Sequence, residues 1–134
     1  PCNPASQIAV DAGNTIPGIP RYTIYGELAW RHQPLGFTAA VEGRWNGKAE
    51  VNDANRPVRA DAPADPVAAY FVAGLRAGFE QQIANWKLSE FARVDNLFDK
   101  QYIGAIYVND QNGRYYAPAP ERSYLVGLSA SYAF

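Results

Sequence analysis

The feature that most restricts this chain is a near-strict alternation of apolar and polar side chains, repeated in five segments. In the first, Tyr22, Ile24, Gly26, Leu28 and Trp30 fall on one side, and Thr23, Tyr25, Glu27, Ala29 and Arg31 on the other. Successive side chains of an extended strand point to opposite faces, so a period of two specifies strand and not helix. The second segment sets Phe37, Ala39, Val41, Gly43 and Trp45 against Thr38, Ala40, Glu42, Arg44 and Asn46. The third sets Ala69, Phe71, Ala73, Leu75, Ala77 and Phe79 against Tyr70, Val72, Gly74, Arg76, Gly78 and Glu80. In the fifth, Tyr124, Val126, Leu128, Ala130, Tyr132 and Phe134 oppose Leu125, Gly127, Ser129, Ser131 and Ala133. The fourth, Trp86 to Phe98, is less regular. Glu90 falls on the apolar face made by Trp86, Leu88, Ala92 and Val94, and Phe91 points the other way, which suggests a bulge or a carboxylate paired with a neighbour. Strands are expected over about residues 21–32, 36–47, 68–81, 86–98 and 123–134.

The connections alternate in length. His32–Gly36 and Gln82–Asn85 are short; Lys48–Pro66 and Asp99–Arg122 are long and polar. Residues 1–20 read as loop, interrupted by Pro1, Pro4, Gly13, Pro17, Gly18 and Pro20. In an antiparallel up-and-down meander the short turns then share one end and the long loops the other, as in transmembrane β-barrels.

Three features indicate that the apolar face meets lipid. Aromatic residues bracket it at intervals of eight: Tyr22 and Trp30, Phe37 and Trp45, Phe71 and Phe79, Tyr124 and Tyr132. Eight tilted residues cover roughly 20 Å of membrane normal, close to the ~25 Å band between aromatic girdles. The middle of the face is small (Gly26, Ala39, Gly43, Ala73, Ala77, Ala130), whereas a soluble core needs large interlocking side chains. The opposite face carries Glu27, Glu42, Arg44, Arg76, Lys87, Arg93 and Asp95, which suits a polar lumen. The solvated face of a soluble sheet would explain the charges but not the brackets. No apolar run approaches the ~20 residues of a membrane helix, and membrane strands escape that criterion by alternating.

Two motifs add a resemblance. Phe134, preceded on one face by Val126, Leu128, Ala130 and Tyr132, resembles the C-terminal signature read by the barrel-assembly machinery of Gram-negative outer membranes. Asp95-Asn96-Leu97-Phe98-Asp99-Lys100-Gln101-Tyr102 resembles the Asn-Leu-Phe-Asp-x-x-Tyr motif of TonB-dependent receptors. Ile16–Arg21 and Ala117–Arg122 are similar to Pro-rich leads into strands of that family, although many members have Gly where this chain has Glu121. The resemblance covers about residues 14–134. It implies the C-terminal part of a 22-stranded barrel in the outer membrane, with a plug domain and a segment that meets the TonB protein. Neither is in this sequence, so the chain is expected to be a fragment of a longer receptor or a truncated product. The implied cargo is a chelated nutrient such as a ferric siderophore. Apart from that resemblance, Asn96 and Asp99 are the residue types that satisfy turn backbone at a strand end.

Catalytic chemistry is not legible. A net charge of −1 argues against nucleic acid as a partner. Cys2 has no partner for an internal disulfide. His32, the single histidine, reads as a solvated turn residue. Asn109–Gly113 only partly matches a calcium loop: aligning Gly113 leaves Val108 and Ala119 where carboxylates belong, and a tight Asn-Gly hairpin is expected instead. No enzyme activity and no cofactor are expected. In the long loops, Arg56, Arg59, Arg114, Tyr115 and Tyr116 are suited to an anionic aromatic chelate, guanidinium pairing with oxyanions and phenols stacking on rings; as plain loop residues they would simply be solvated. The leading function is therefore active import. A passive porin, a structural barrel, a non-functional fragment and a soluble ligand-binding β-domain are the alternatives.

Overall fold

Seven strands form among the residues that the computed structural model describes, 10–56, 64–110 and 112–134. Five build one antiparallel sheet: β1 (Thr23–His32), β2 (Phe37–Asn46), β3 (Tyr70–Ile83), β4 (Trp86–Asp95) and β7 (Ser123–Tyr132), in the order β1-β2-β3-β4-β7. Two short strands, β5 (Ile103–Ile106) and β6 (Tyr116–Pro118), pair with each other inside the second long connection. A 3-10 turn spans Gln33–Leu35, and among the described residues there is no α-helix, hence no helix able to cross a membrane.

The registers test the face assignment. Phe79 pairs with Glu90 and Glu90 with Leu128; Arg76 pairs with Arg93 and Arg93 with Leu125. Directly opposed residues share a face, so the alternation read along each strand is also consistent across strands. The ladder between β3 and β4 runs without a break from Leu75–Val94 to Ile83–Trp86. Glu90 therefore does not mark a bulge. It makes no ion pair among the described residues either, and its side chain sits exposed among Phe79, Leu128 and Ala92. Phe91 points to the polar face by strand alternation, and Gly127 makes room for it there. It lies in register between Gly78 and Gly127, and a Cβ at Gly127 would collide with its ring.

Turn chemistry moves two strand ends. β3 continues to Ile83, which leaves a two-residue turn, Ala84-Asn85, with Ala84 left-handed at φ 53. β4 stops at Asp95, not Phe98, because Asn96 and Asp99 both adopt φ 52 and take the chain out of the sheet. At the other short turn, Gly36 is left-handed (φ 65) and packs against the Glu80 carbonyl too closely for a side chain.

The chain divides into two compact units. One is the sheet: Ile24–Trp45, Phe71–Lys100 and Pro120–Phe134. The other comprises the described residues of Pro1–Thr23, Asn46–Tyr70 and Gln101–Ala119. Segments that read as polar loops thus have a core of their own. Ala49, Val51, Ala64, Val67 and Tyr115 are buried together, with Ile103 and Ile106 packed against them. An isolated bridge joins Ala49 and Val67 through backbone bonds of 3.1 and 2.9 Å. Asparagines do much of the rest. Asn55 accepts from the Thr15 amide (2.7 Å) and donates to the carbonyls of Thr15 and Asn52 (2.9 Å each). Asn52, fully buried, donates to the Arg56 carbonyl at 2.9 Å.

Candidate functional site

The apolar face of the sheet is uncovered. Val126 is 78%, Leu128 74% and Leu28 74% exposed, and within the sheet unit only Ala40 and Ala73 are buried hydrophobics among the described residues. Contiguous apolar surface on this scale marks contact with a membrane or a partner. Aromatics cluster at strand ends: Trp86 and Tyr132 have ring centroids 5.1 Å apart, Trp30 and Phe37 5.6 Å, Trp45 and Phe71 6.3 Å. The brackets are not level along the ladders. Phe79 lies in line with Leu128, midway between Tyr124 and Tyr132, the kind of stagger that tilted strands introduce.

The polar face is a connected network. Arg76 bonds Glu27 at 2.7 Å, and Arg93 bonds Glu42 at 2.9 Å and Asp95 at 2.8 Å; Lys87 and Glu80 form a separate pair at 2.9 Å. The Tyr25 hydroxyl donates to Glu27 and Glu42 at 3.1 and 3.3 Å. These side chains are partly exposed, so each pair contributes at most about 1 kcal/mol, and the value of the network is in fixing side chains across four strands. Beside it is a hollow of about 550 Å³. Arg31, Arg76 and Arg93 line it together with Phe91 and Leu125, over the small residues Ala29, Ala40 and Gly78.

The Asn-Leu-Phe-Asp motif forms a clasp. Asn96, 5% exposed, accepts from the Lys100 amide at 2.8 Å and donates to the carbonyls of Lys100 (2.9 Å) and Pro120 (3.4 Å). The Leu97 amide bonds the Ala73 carbonyl at 2.8 Å. Asp99 accepts from the Arg122 amide at 2.9 Å, just before β7. Phe98 is 69% exposed and lines a shallow apolar hollow with Phe71, Leu28 and Val41. Tyr102, in the other unit, stacks on Tyr70 with centroids 4.5 Å apart. The C-terminal residues Val126, Leu128, Ala130 and Tyr132 share the apolar face through their pairs with Ala92, Glu90, Leu88 and Trp86, and Phe134 lies beyond the strand, fully exposed.

The loop residues named from sequence do not converge as a group. Arg56 is exposed and 3.5 Å from Asp11. Arg114 is exposed, its amide held by Asp110 at 3.1 Å. Tyr115 is no ligand-facing phenol: it is 4% exposed because it fills the core with Val51 and Val67. The Tyr116 hydroxyl donates to the Asp65 carbonyl at 2.7 Å. Partial burial, and then the Asp65 charge, hold its pKa above the usual phenol value, so at neutral pH it is a donor. Arg59 and Cys2 lie outside the described residues.

Two further readings are revised. His32 ends β1 and is not a solvated turn residue; its ring lies 5.8 Å from Trp30, and Nδ1 is shielded without a partner among the described residues. Asn112-Gly113 is not a two-residue hairpin. β5 and β6 are joined by Tyr107–Tyr115, within which Asp110 accepts from the amides of Asn112 and Arg114. No metal-binding cluster of His, Cys, Asp or Glu occurs among the described residues. What sequence reasoning missed is the hollow; its signals were Phe91 and Leu125, two large apolar residues on a polar face.

No protein-family model matches the chain. Among solved structures, it is similar to BauA, the ferric preacinetobactin receptor from Acinetobacter baumannii, with a TM-score of 0.68 and 19% sequence identity. The match covers 88% of this chain and 16% of that receptor. At this identity the likeness shows the fold: the sheet is built as a portion of a ferric siderophore receptor is built.

Proposed function

We propose that this chain is the C-terminal portion of a 22-stranded outer-membrane barrel that imports a chelated nutrient, most favourably a ferric siderophore, with energy delivered through TonB. The observation that carries the reading is the uncovered apolar face, rimmed by aromatics, on a meander that superposes on a ferric siderophore receptor. In water such a face would drive association; in a bilayer it is the surface a barrel presents. The clasp at Asn96 and the terminal run to Phe134 support the same family. Five strands do not close a barrel, and lipid leaves unpaired backbone groups unsatisfied, so closure, plug and energy coupling belong to sequence outside these 134 residues.

Uptake of radiolabelled ferric siderophores by cells with and without the intact receptor tests this. The gene should support uptake of at least one ferric chelate, and a protonophore should abolish it. Uptake that persists after the protonophore would instead mean a passive pore. Loss of the gene without effect on any chelate in a broad panel would remove the import reading.

A further inference from the structure

We propose that Asn112 is a site of spontaneous covalent modification, at which the side-chain amide closes on the Gly113 nitrogen and hydrolyses to aspartate and isoaspartate. The inference stands on the loop-built unit and does not depend on what the protein imports. The chain contains two Asn-Gly pairs, Asn46-Gly47 and Asn112-Gly113. A glycine in second place leaves the backbone nitrogen unshielded and the peptide plane free to turn toward the side chain. By sequence the two pairs are equivalent; their surroundings are not. Asn46 closes β2, is 6% exposed, and accepts from the Thr23 hydroxyl at 3.0 Å. The Gly47 amide donates to the Tyr22 carbonyl at 2.9 Å, and the Tyr22 ring fills the space beside Gly47. Electrophile and nucleophile are both locked there.

Asn112 is exposed, and no hydrogen bond holds its side chain among the described residues. The Asp110 carboxylate takes the amides on either side of Gly113, from Asn112 at 2.8 Å and from Arg114 at 3.1 Å. The Gly113 amide itself has only a long bond, 3.3 Å, to the Asp110 carbonyl. In the reaction the Gly113 nitrogen gives up its proton and attacks Cγ of Asn112. The N–Cγ bond forms, the Cγ–Nδ2 bond breaks, and Nδ2 leaves as ammonia. Water then opens the cyclic imide. Opening at Cγ leaves an ordinary aspartate; opening at the main-chain carbonyl routes the chain through Cγ and lengthens the backbone by a methylene. No electrons change hands, and water is the sole co-reactant. Before reaction, residues 109–114 carry one carboxylate, Asp110, and one guanidinium, Arg114. Either product adds a carboxylate between them, so the loop ages from balanced to net negative.

The test is ageing of the intact purified protein in mildly alkaline, heavy-oxygen water, followed by digestion and mass spectrometry of the two Asn-Gly peptides. Heavy oxygen enters only during ageing, which separates conversion in the folded protein from conversion during digestion. Asn112 should convert at least about tenfold faster than Asn46, whose reaction must wait for local opening of the chain. In denaturant the two should convert at similar rates. Asn112→Gln, whose longer side chain disfavours ring closure, should leave its peptide unlabelled. Asn46 converting as fast as Asn112 in the folded protein would overturn the proposal. So would a ratio of the two rates that is the same folded and denatured. Failure of Asn112 to convert in the folded protein, while both sites convert in denaturant, overturns it as well.

Discussion

The two units of this chain hold themselves together by opposite means. The loop-built unit has a small conventional interior: Val51 is 1% exposed and Val67 7%, and the surrounding backbone is tied by Asn52, Asn55 and Asn109. The sheet has almost no interior. Its large side chains stand exposed on one face, its charges pair on the other, and its order comes from the ladders between strands. The loop unit carries its own solvent-excluded core, whereas the sheet depends on an environment outside itself to cover its apolar side. That difference separates an element that buries its own apolar surface from one that leaves it open more sharply than average hydropathy does.

The largest expected effect breaks the sheet half of the comparison. On the lipid-facing reading, Val126→Arg should cost about 2–4 kcal/mol near the bilayer midplane, while Ser129→Arg on the polar face of β7 should be nearly neutral. Folding yield of the intact barrel in lipid vesicles measures both; equal losses would put the apolar face somewhere other than in lipid. Next, Asn55→Ala removes three hydrogen bonds at a position with φ 53 and should destabilise the loop unit by about 2–3 kcal/mol. Asn55→Gly tolerates that backbone and should lose less. Hydrogen exchange at the Thr15 amide should report the loosening, and an unchanged rate would show that the core alone holds this unit.

A smaller effect concerns Glu90. On the same lipid-facing reading, Glu90→Leu completes the apolar face between Phe79 and Leu128 and should stabilise the barrel in lipid by about 1 kcal/mol. A loss of stability there would mean that the carboxylate has a partner in the membrane. Smallest is Arg56→Gln. Its ion pair with Asp11 is exposed on both sides, so chemical denaturation should show a change under about 0.5 kcal/mol. A larger change would make Arg56 a structural member of the unit and weaken its candidacy as a ligand contact.

Strand faces were legible because period two needs only local information. The pairs Arg76–Arg93 and Phe79–Glu90 put the expected residues together without any knowledge of the fold. Where the chain leaves the sheet was less legible, since Asn96 reads as strand by pattern and as turn by chemistry, and the chemistry won through its positive φ. The loop unit was missed for a different reason. Val51, Val67, Ile103, Ile106 and Tyr115 are scattered over two long connections with no common period, and only the fold brings them together. Tyr115 was assigned to ligand contact for that reason: an aromatic in a polar stretch looks exposed until its distant partners are known. Phe91 and Leu125 looked like blemishes in an alternating pattern, yet with Arg31 they outline the hollow.

The clasp has a consequence for how such a protein can diversify. Asn96 reaches across 24 positions to the Pro120 carbonyl, and Asp99 holds the Arg122 amide, so the excursion between them is closed at its neck. The ten-pair ladder from Trp86–Tyr132 to Asp95–Ser123 starts immediately below. Variation in the excursion, Ile103, Ile106 and Tyr115 aside, is therefore mechanically uncoupled from strand register. Selection can lengthen, shorten or recode residues 110–114 as an exchangeable cassette while the neck, the ladder and the tie from Asn109 to Asp53 are inherited unchanged, which lets the displayed chemistry evolve faster than the scaffold that carries it.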